Sequence, residues 1–164
     1  MIFEMIAVCA MIKTMAPQGR SKMIYEPKQI IYDNGTNLIC YDISDEERAL
    51  MERCVMSEAG NQSYNAQEAV ATVILNRVFY PDKFGCTITG VINAEGQFST
   101  HDNGEPTVSV RLAVHNAIQY YGGPCQCIPP QVVYFRSWYY HEWAQDYCRL
   151  DDMYFSTPKG ACIN

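Results

Sequence analysis

The sequence predicts an α+β domain, mainly helical, with a small antiparallel sheet beside a cleft. Three segments with helical apolar spacing lie between residues 44 and 121, and two short runs with strand character follow them. At 164 residues, of which 48% are hydrophobic, the chain is long enough to form one core. We therefore expect one domain over residues 44–164, preceded by an N-terminal extension, residues 1–43, whose fold the sequence leaves undefined.

The first predicted helix begins at Ser44, because Ser44-Asp45-Glu46-Glu47 has the form of a capping box. Its apolar stripe consists of Leu50, Met51, Cys54 and Val55. Its solvent side is expected to carry Glu46, Arg48, Glu52 and Arg53. The next position along the apolar stripe is Glu58, just before the expected stop at Gly60-Asn61.

Glu58 is the candidate catalytic residue. Burial disfavours the charged form of a carboxyl group and raises its pKa, and an acid that is still protonated near neutral pH can give its proton to a leaving group. The alternative is structural, because a side chain at the end of a helix can reach solvent or accept hydrogen bonds from the next loop. The spacing alone leaves both interpretations open.

The second helix follows at once, with Asn65 as its predicted N-cap and Glu68 at the capping-box position. Its buried stripe consists of Ala66, Ala69, Val70, Val73 and Ile74. Asn76 and Arg77 lie near its C-terminus, where a positive charge complements the helix dipole.

The third helix is predicted from about Thr107 to Tyr121, and Gly122-Gly123 ends it. Its apolar face consists of Val110, Ala113, Val114, Ala117, Ile118 and Tyr121. Short strands at about Gln131–Arg136 and Asp152–Ser156 are expected to pair across the site, and Ile30-Ile31-Tyr32 is a further possible strand.

Two adjacent segments, Ser57–Ser63 and Ala69–Val78, together resemble the cell wall hydrolase family of SleB/CwlJ type. Three later segments resemble the same family in the same order: Gly96-Gln97-Phe98-Ser99, Val133-Tyr134-Phe135, and the stretch from Trp143 to Tyr154-Phe155-Ser156. Each motif is weak alone, but five in order are fairly specific. The resemblance implies a lysozyme-like domain that cleaves peptidoglycan glycan strands, with the sheet beside its catalytic cleft.

The catalytic glutamate that this resemblance implies is Glu58, which opens the motif Glu-Ala-x-Gly of the family. This chain departs from the commoner form of the motif: it reads Glu-Ala-Gly-Asn-Gln, so that Gln62 stands where a second Glu is frequent. An essential second carboxylate at that position is therefore in doubt. We expect a lytic transglycosylase that cleaves the bond between N-acetylmuramic acid and N-acetylglucosamine, leaves 1,6-anhydromuramic ends and uses Glu58 as its single acid and base.

Two alternatives stay open at this stage. A hydrolytic muramidase or glucosaminidase would need a second carboxylate, for which Glu95, Asp102 and Glu105 are candidates, although each is more simply interpreted as a loop residue. A non-catalytic wall-binding protein, stabilised by disulfides, would explain the cysteines and aromatic residues but gives no reason for Glu58.

Substrate binding needs aromatic faces for sugar rings and polar partners for N-acetyl groups. The resemblance places Gln97, Phe98, Ser99 and Tyr134 at such positions, and Asn76 is a further candidate. The stretch 134–143 is the most aromatic of the chain, and it fits a core wall as well as a sugar platform. Trp143 within it is expected to pack rather than to bind.

Composition and motifs exclude several other functions. The net charge of −6 argues against a nucleic-acid partner. His141-Glu142 begins like a zinc-protease motif but the second His is absent, because residue 145 is Gln. We expect no cofactor and no metal, a monomer without a transmembrane segment, and peptidoglycan glycan strands as the partner.

The location of the protein follows less directly from the sequence. Some of the cysteines at positions 86, 125, 127, 148 and 162 could pair in an oxidising compartment, with no connectivity deducible. The apolar run Met5–Ile12 makes a poor signal peptide, since no basic residue precedes it. We expect the protein to act outside the cytoplasmic membrane, on cell wall or spore cortex, or after release by a phage-type lysis.

Overall fold

The computed structural model describes residues 29–33, 38–80, 83–99 and 104–163, with side chains from Tyr41 onward. Its helices are α1 (Asp45–Ala59), α2 (Tyr64–Phe79), α3 (Ile88–Ile92) and α4 (Val108–Tyr120). Its strands are β1 (Gln29–Asp33), β2 (Leu38–Asp42), β3 (Tyr134–Ser137), β4 (Ala144–Leu150) and β5 (Met153–Pro158). The prediction of a mainly helical α+β fold with a small antiparallel sheet is confirmed.

The capping box at the start of α1 forms as the sequence predicts. The Ser44 hydroxyl accepts a hydrogen bond from the Glu47 amide at 3.1 Å, and the Glu47 carboxylate accepts one from the Ser44 amide at 3.4 Å. The same carboxylate also accepts a hydrogen bond from the Tyr41 hydroxyl at 2.6 Å, while the amide of Ile88 donates to that hydroxyl at 3.1 Å. One tyrosine thus joins β2 to the starts of α1 and α3.

The central helix of the domain is α2, against which α1, α3 and α4 all pack. Its side chains from Ala69 to Val78 are all buried, so the helix is enclosed on every side rather than along the predicted stripe. The predicted N-cap, Asn65, is wrong: the helix begins one residue after Ser63. The amide side chain of Gln67 holds the preceding turn instead, donating to the carbonyl oxygens of Gln62 at 3.0 Å and Gly60 at 3.4 Å.

The predicted helix α4 is confirmed, with Thr107 as its N-cap and its six predicted apolar residues all buried. The packing of α4 against α1 buries Arg48. The prediction that Arg48 faces solvent is therefore wrong. One guanidinium nitrogen of Arg48 lies 4.0 Å from the Glu52 carboxylate and the other lies 3.4 Å from Nδ1 of His115. His115, expected on the helix surface, is correspondingly half-buried.

The main sheet has the strand order β3-β5-β4 and is antiparallel throughout. The predicted pairing of β3 with β5 is confirmed, with Phe135 opposite Phe155. Strand β4 was not predicted, because only Ala144 of its residues is buried and no apolar alternation marks it.

The turn between β4 and β5 packs on the loop between α1 and α2. The Asp151 carboxylate accepts a hydrogen bond from the amide of Ser63 at 2.6 Å, and the amide of Asp152 donates to the side-chain oxygen of Gln62 at 3.2 Å. The hydrogen bond from Ser63 lowers the pKa of Asp151. These contacts fix the sheet beside the end of α1, where Glu58 lies.

The strand predicted at Ile30-Ile31-Tyr32 is confirmed as part of β1, which pairs with β2 in a separate two-stranded antiparallel sheet. The apolar run at Met5–Ile12 lies outside the described residues. The boundary at residue 43 therefore stays a prediction. In the described part of the chain, no helix is long and apolar enough to cross a membrane.

Candidate active site

Glu58 lies on the last turn of α1 with its side chain half-buried. The backbone amide of Ser99 donates a hydrogen bond to its Oε1 atom at 2.5 Å. The loop before Ser99 turns through Gly96, whose φ of +69° is a left-handed conformation that glycine adopts without strain. The fold therefore brings Glu58 and the segment Gln97-Phe98-Ser99 together, although about forty residues separate them in the sequence.

A buried arginine lies next to this pair. Arg77 of α2 is 5% exposed, and its Nε atom donates to the carbonyl oxygen of Val133 at 2.8 Å. Burial lowers the pKa of Arg77 to about 10, and the negative charge of Glu58 is among the neighbouring groups that oppose this shift. The side chains of Glu58 and Arg77 are thus close enough to interact electrostatically.

Three phenylalanine rings surround the Arg77 guanidinium group. Its central carbon lies 4.8 Å from the ring centre of Phe98, 5.0 Å from that of Phe84 and 5.8 Å from that of Phe135. Phe98, a predicted substrate-binding residue, is half-buried in this cluster. Among the residues that the structure describes, nothing forms a hydrogen bond with the buried Nη1 atom of Arg77.

A cavity of about 460 Å³ opens beside this cluster, a size typical of small-molecule sites. Its lining consists of Arg77, Lys83, Phe84, Val91, Ala94, Gly96, Gln97, Tyr134, Phe135, His141 and Trp143. Two of the predicted substrate-binding residues, Gln97 and Tyr134, are therefore part of one cavity wall. Glu58 is not in the lining, but Arg77 and the loop 96–99 connect it to the cavity.

Tyr134 is the centre of an aromatic group at the cavity. It is buried, and its hydroxyl accepts a hydrogen bond from Nζ of Lys83. The ring of Trp143 meets the ring of Tyr134 edge to face, with 4.8 Å between the ring centroids. The ring centroid of His141 lies 4.5 Å from that of Trp143. Burial, with the nearby charge of Arg136, lowers the pKa of His141. Trp143 packs here as expected, yet 57% of it stays exposed, which leaves ring surface available to a ligand.

Asn76 does not line the cavity. It is 1% exposed, and its side-chain nitrogen donates to the carbonyl oxygens of Pro129 at 2.9 Å and Val132 at 2.8 Å. Its oxygen accepts from Gln126 at 3.4 Å. Both ends of the amide are thus engaged by the segment 126–132, and the geometry corrects the expectation that Asn76 contacts substrate. Asn76 positions the chain that leads into β3.

The candidates for a second carboxylate are not brought into the cavity lining. Glu95 is exposed, and the side chain of Glu105 is 94% exposed and lies 3.5 Å from Arg111. Asp102 lies outside the described residues. Within the described lining of the cavity no residue carries a carboxylate.

The six cysteines that the structure describes with side chains, at positions 54, 86, 125, 127, 148 and 162, are all free. The pairing that the sequence left open for the cysteines at 86, 125, 127, 148 and 162 is not formed in this structure. As predicted, Cys54 is a buried core residue. Among the described residues, no group of three or more His, Cys, Asp or Glu side chains is placed to hold a metal ion.

Sequence reasoning missed Arg77, Lys83 and His141 as cavity residues. The sequence did carry a signal for Arg77, because it is the one charged residue in the run Ala69–Val78, whose other members are mostly apolar. A charged side chain there must be buried with the rest of the helix. Lys83 and His141 carry no comparable signal.

Comparison with known proteins identifies the family. The sequence model of the cell wall hydrolase family matches residues 61–156, more than half of the chain. The chain belongs to the cell wall hydrolase family. The matched region contains Gln97 and Tyr134 and begins just after Glu58. This cell wall hydrolase is therefore a peptidoglycan-degrading enzyme.

Two solved structures resemble this hydrolase. The catalytic domain of the Bacillus cereus SleB protein is 25% identical, with a TM-score of 0.58, and the match covers 70% of this chain and 91% of that one. The catalytic domain of SleB from Bacillus anthracis is 24% identical, with a TM-score of 0.59 and coverage of 70% and 97%. These matches confirm the lysozyme-like fold. No curated protein matches the chain.

Proposed function

We propose that this hydrolase is a lytic transglycosylase that acts outside the cytoplasmic membrane. It cleaves the bond between N-acetylmuramic acid and N-acetylglucosamine, with Glu58 as its single acid and base. The structure from Bacillus anthracis is described as a germination-specific lytic transglycosylase, which supports this choice among wall-cleaving reactions.

The observation that carries the proposal is the hydrogen bond from the Ser99 amide to Oε1 of Glu58. It fixes the orientation of the carboxyl group, as an acid that must meet one particular glycosidic oxygen requires. With Oε1 held in this way, Oε2 is the oxygen that transfers the proton.

The proposed reaction needs no water and no second carboxylate. Protonated Glu58 gives its proton to the glycosidic oxygen, and the bond from that oxygen to the anomeric carbon of muramic acid breaks. The resulting carboxylate takes the proton of the muramic 6-hydroxyl, whose oxygen bonds to the same anomeric carbon. The products are a 1,6-anhydromuramic end and a free N-acetylglucosamine hydroxyl, and Glu58 is protonated again.

The surroundings of Glu58 suit the second half of this cycle. The Ser99 amide donates to the carboxylate that forms after the first proton transfer, and the positive charge of Arg77 lies nearby.

The cavity supplies surfaces for the sugar rings next to the cleaved bond. We assign Gln97 to hydrogen bonding with an N-acetyl group, because its side chain is exposed in the cavity wall. Tyr134 and Trp143 provide aromatic surface, and the face of Trp143 is the more accessible of the two. Phe98 and Ser99 act next to Glu58 rather than next to Tyr134 and Trp143.

The deciding experiment is mass spectrometry of the soluble fragments that the enzyme releases from purified peptidoglycan. Fragments with 1,6-anhydromuramic ends are expected from the wild type and from Glu105→Gln, a control that removes an exposed carboxylate, and not from Glu58→Gln. Reducing muramic or N-acetylglucosamine ends would instead establish a hydrolase. Fragments from Glu58→Gln at the wild-type rate would refute the assigned role of Glu58.

A further inference from the structure

The cavity has a charge pattern that proton transfer by Glu58 does not require. Two basic side chains, Arg77 and Lys83, line it, and no acidic side chain does so among the described residues. Lys83 is exposed at the edge and donates to the Tyr134 hydroxyl, whereas Arg77 is 5% exposed. The cavity wall thus carries one buried positive charge, on Arg77, and one exposed positive charge, on Lys83.

The guanidinium group of Arg77 is incompletely hydrogen-bonded. Nε is bonded to the Val133 carbonyl, but the buried Nη1 atom has no hydrogen-bond partner among the described residues. The phenylalanine rings around it contribute cation–π attraction, yet an aromatic face does not replace a hydrogen-bond acceptor. Nη1 itself has almost no accessible surface, so it is the positive charge of Arg77 in the cavity wall, rather than this atom, that a ligand in the cavity meets.

The two positive charges in the cavity wall, on Arg77 and Lys83, indicate what the cavity would bind. A carboxylate is the group that accepts hydrogen bonds from a guanidinium most strongly, because both partners are charged and planar. A neutral sugar offers hydroxyl and amide oxygens, which satisfy one donor but bring no negative charge to Arg77 and Lys83. The described lining therefore favours a ligand with a negative charge near Arg77.

Peptidoglycan carries such groups on one of its two sugars only. Muramic acid has a lactyl carboxyl group, which is either free or extended by a stem peptide with carboxylates of its own, whereas N-acetylglucosamine has none. We propose that the cavity is a subsite for a carboxylate of the muramic acid residue or its stem peptide, held between Arg77 and Lys83. This assignment rests on the proposed function, and it would place muramic acid on the cavity side of Glu58.

Binding of small probes tests the subsite without any reaction. N-acetylmuramic acid carries a negative charge on its lactyl group, whereas its methyl ester carries none there. The Nε–H signal of Arg77 in ¹H–¹⁵N spectra reports on the guanidinium. We expect the acid to shift that signal and to bind about tenfold more tightly than the ester, as a charge-assisted hydrogen bond implies.

A third probe separates the two carboxylate sources. In N-acetylmuramyl-L-alanyl-D-isoglutamine the lactyl carboxyl is blocked and the remaining carboxylate lies on the peptide. If N-acetylmuramic acid alone shifts the Arg77 signal, the free lactyl group is the ligand, and if the dipeptide does so, the stem is. If neither shifts it, or if acid and ester bind equally, the subsite does not exist.

Turnover provides an independent test with a surface variant that is expected to fold. We compare kcat/KM on untreated strands with kcat/KM on strands whose carboxyl groups have been converted to methylamides. In Lys83→Met, kcat/KM on untreated strands divided by kcat/KM on methylamide strands should fall about threefold, as for an exposed charge pair. Lys159→Met, which removes an exposed lysine outside the cavity lining, should keep the wild-type ratio.

The two proposals can fail separately. If the wild type releases no anhydro fragments while N-acetylmuramic acid still shifts Arg77, the reaction is wrong and the subsite stands. If anhydro fragments form and depend on Glu58 while Lys83→Met and Lys159→Met keep equal ratios, the reaction stands and the subsite is overturned.

Discussion

Oε1 of Glu58 accepts a hydrogen bond from the backbone amide of Ser99 at 2.5 Å, which joins the end of the first long helix to the loop after α3. A backbone donor depends on the path of the chain rather than on the side chain of residue 99. Substitutions at Ser99 should therefore disturb the site less than changes that alter the loop, such as a replacement of Gly96 at its positive φ.

The first prediction concerns Glu58 itself. Glu58→Gln should lower kcat on peptidoglycan by about 10²–10⁴-fold, because an amide cannot serve as general acid and base. The free energy of unfolding should change by less than about 1 kcal/mol, since the Gln oxygen can still accept from the Ser99 amide. Turbidity loss of wall suspensions and urea unfolding measure the two quantities. A large loss of stability with activity retained would indicate that Glu58 is structural.

The second prediction concerns Asn76. Asn76→Ala should lower the free energy of unfolding by about 2–4 kcal/mol, because it leaves the buried carbonyl oxygens of Pro129 and Val132 without their donor. The KM of the fraction that stays folded should change less than twofold. Urea unfolding followed by circular dichroism gives the first value and initial rates give the second. A raised KM with unchanged stability would restore Asn76 as a substrate contact.

The contrast between Asn76 and α4 shows what the sequence could predict. The apolar face of α4 was correct in every residue, because a helix with one buried face has a periodic pattern that sequence displays directly. The helix α2 is buried all round, so its sequence pattern does not indicate which face packs against which neighbour. The environments of Asn76 and Arg77 depend on segments more than fifty residues away. Glu58 could be predicted as a candidate because a helix end and a family motif coincide there.

The third prediction concerns the aromatic wall of the cavity. Trp143→Ala should raise KM on glycan strands about three- to tenfold, the loss expected for one aromatic contact. Trp138→Ala is the matched control: Trp138 is 73% exposed and lies outside the cavity lining. It should leave KM within twofold of the wild type. Equal effects of the two substitutions on KM would remove Trp143 from the binding surface.

The fourth prediction concerns thiol reactivity. Burial raises the pKa of the Cys54 thiol, with the negative charge of Glu58 adding to the effect, and the thiolate is the form that reacts. In the native protein iodoacetamide should modify the exposed Cys86, Cys125 and Cys162 and leave Cys54 intact until urea unfolds the chain. Peptide mapping by mass spectrometry assigns each site. Modification of Cys54 at the rate of Cys86 would show that the end of α1 opens to solvent.

The fifth prediction concerns stability in mild acid. Burial, together with the charge of Arg48, lowers the pKa of His115 below its usual value of 6.5. Below pH 6.5 the unfolded chain therefore binds more protons at this residue than the folded protein does, and stability is lost as the pH falls. His141, whose pKa is lowered too, acts in the same direction.

The urea midpoint should consequently fall between pH 7.5 and pH 5.5, and it should fall less in His115→Gln than in the wild type. Carboxylates and His141 titrate in both proteins, so their contribution cancels when the two decreases are compared. Equal decreases would mean that His115 titrates alike in the folded and unfolded chains, and that its place between α1 and α4 does not hinder its protonation.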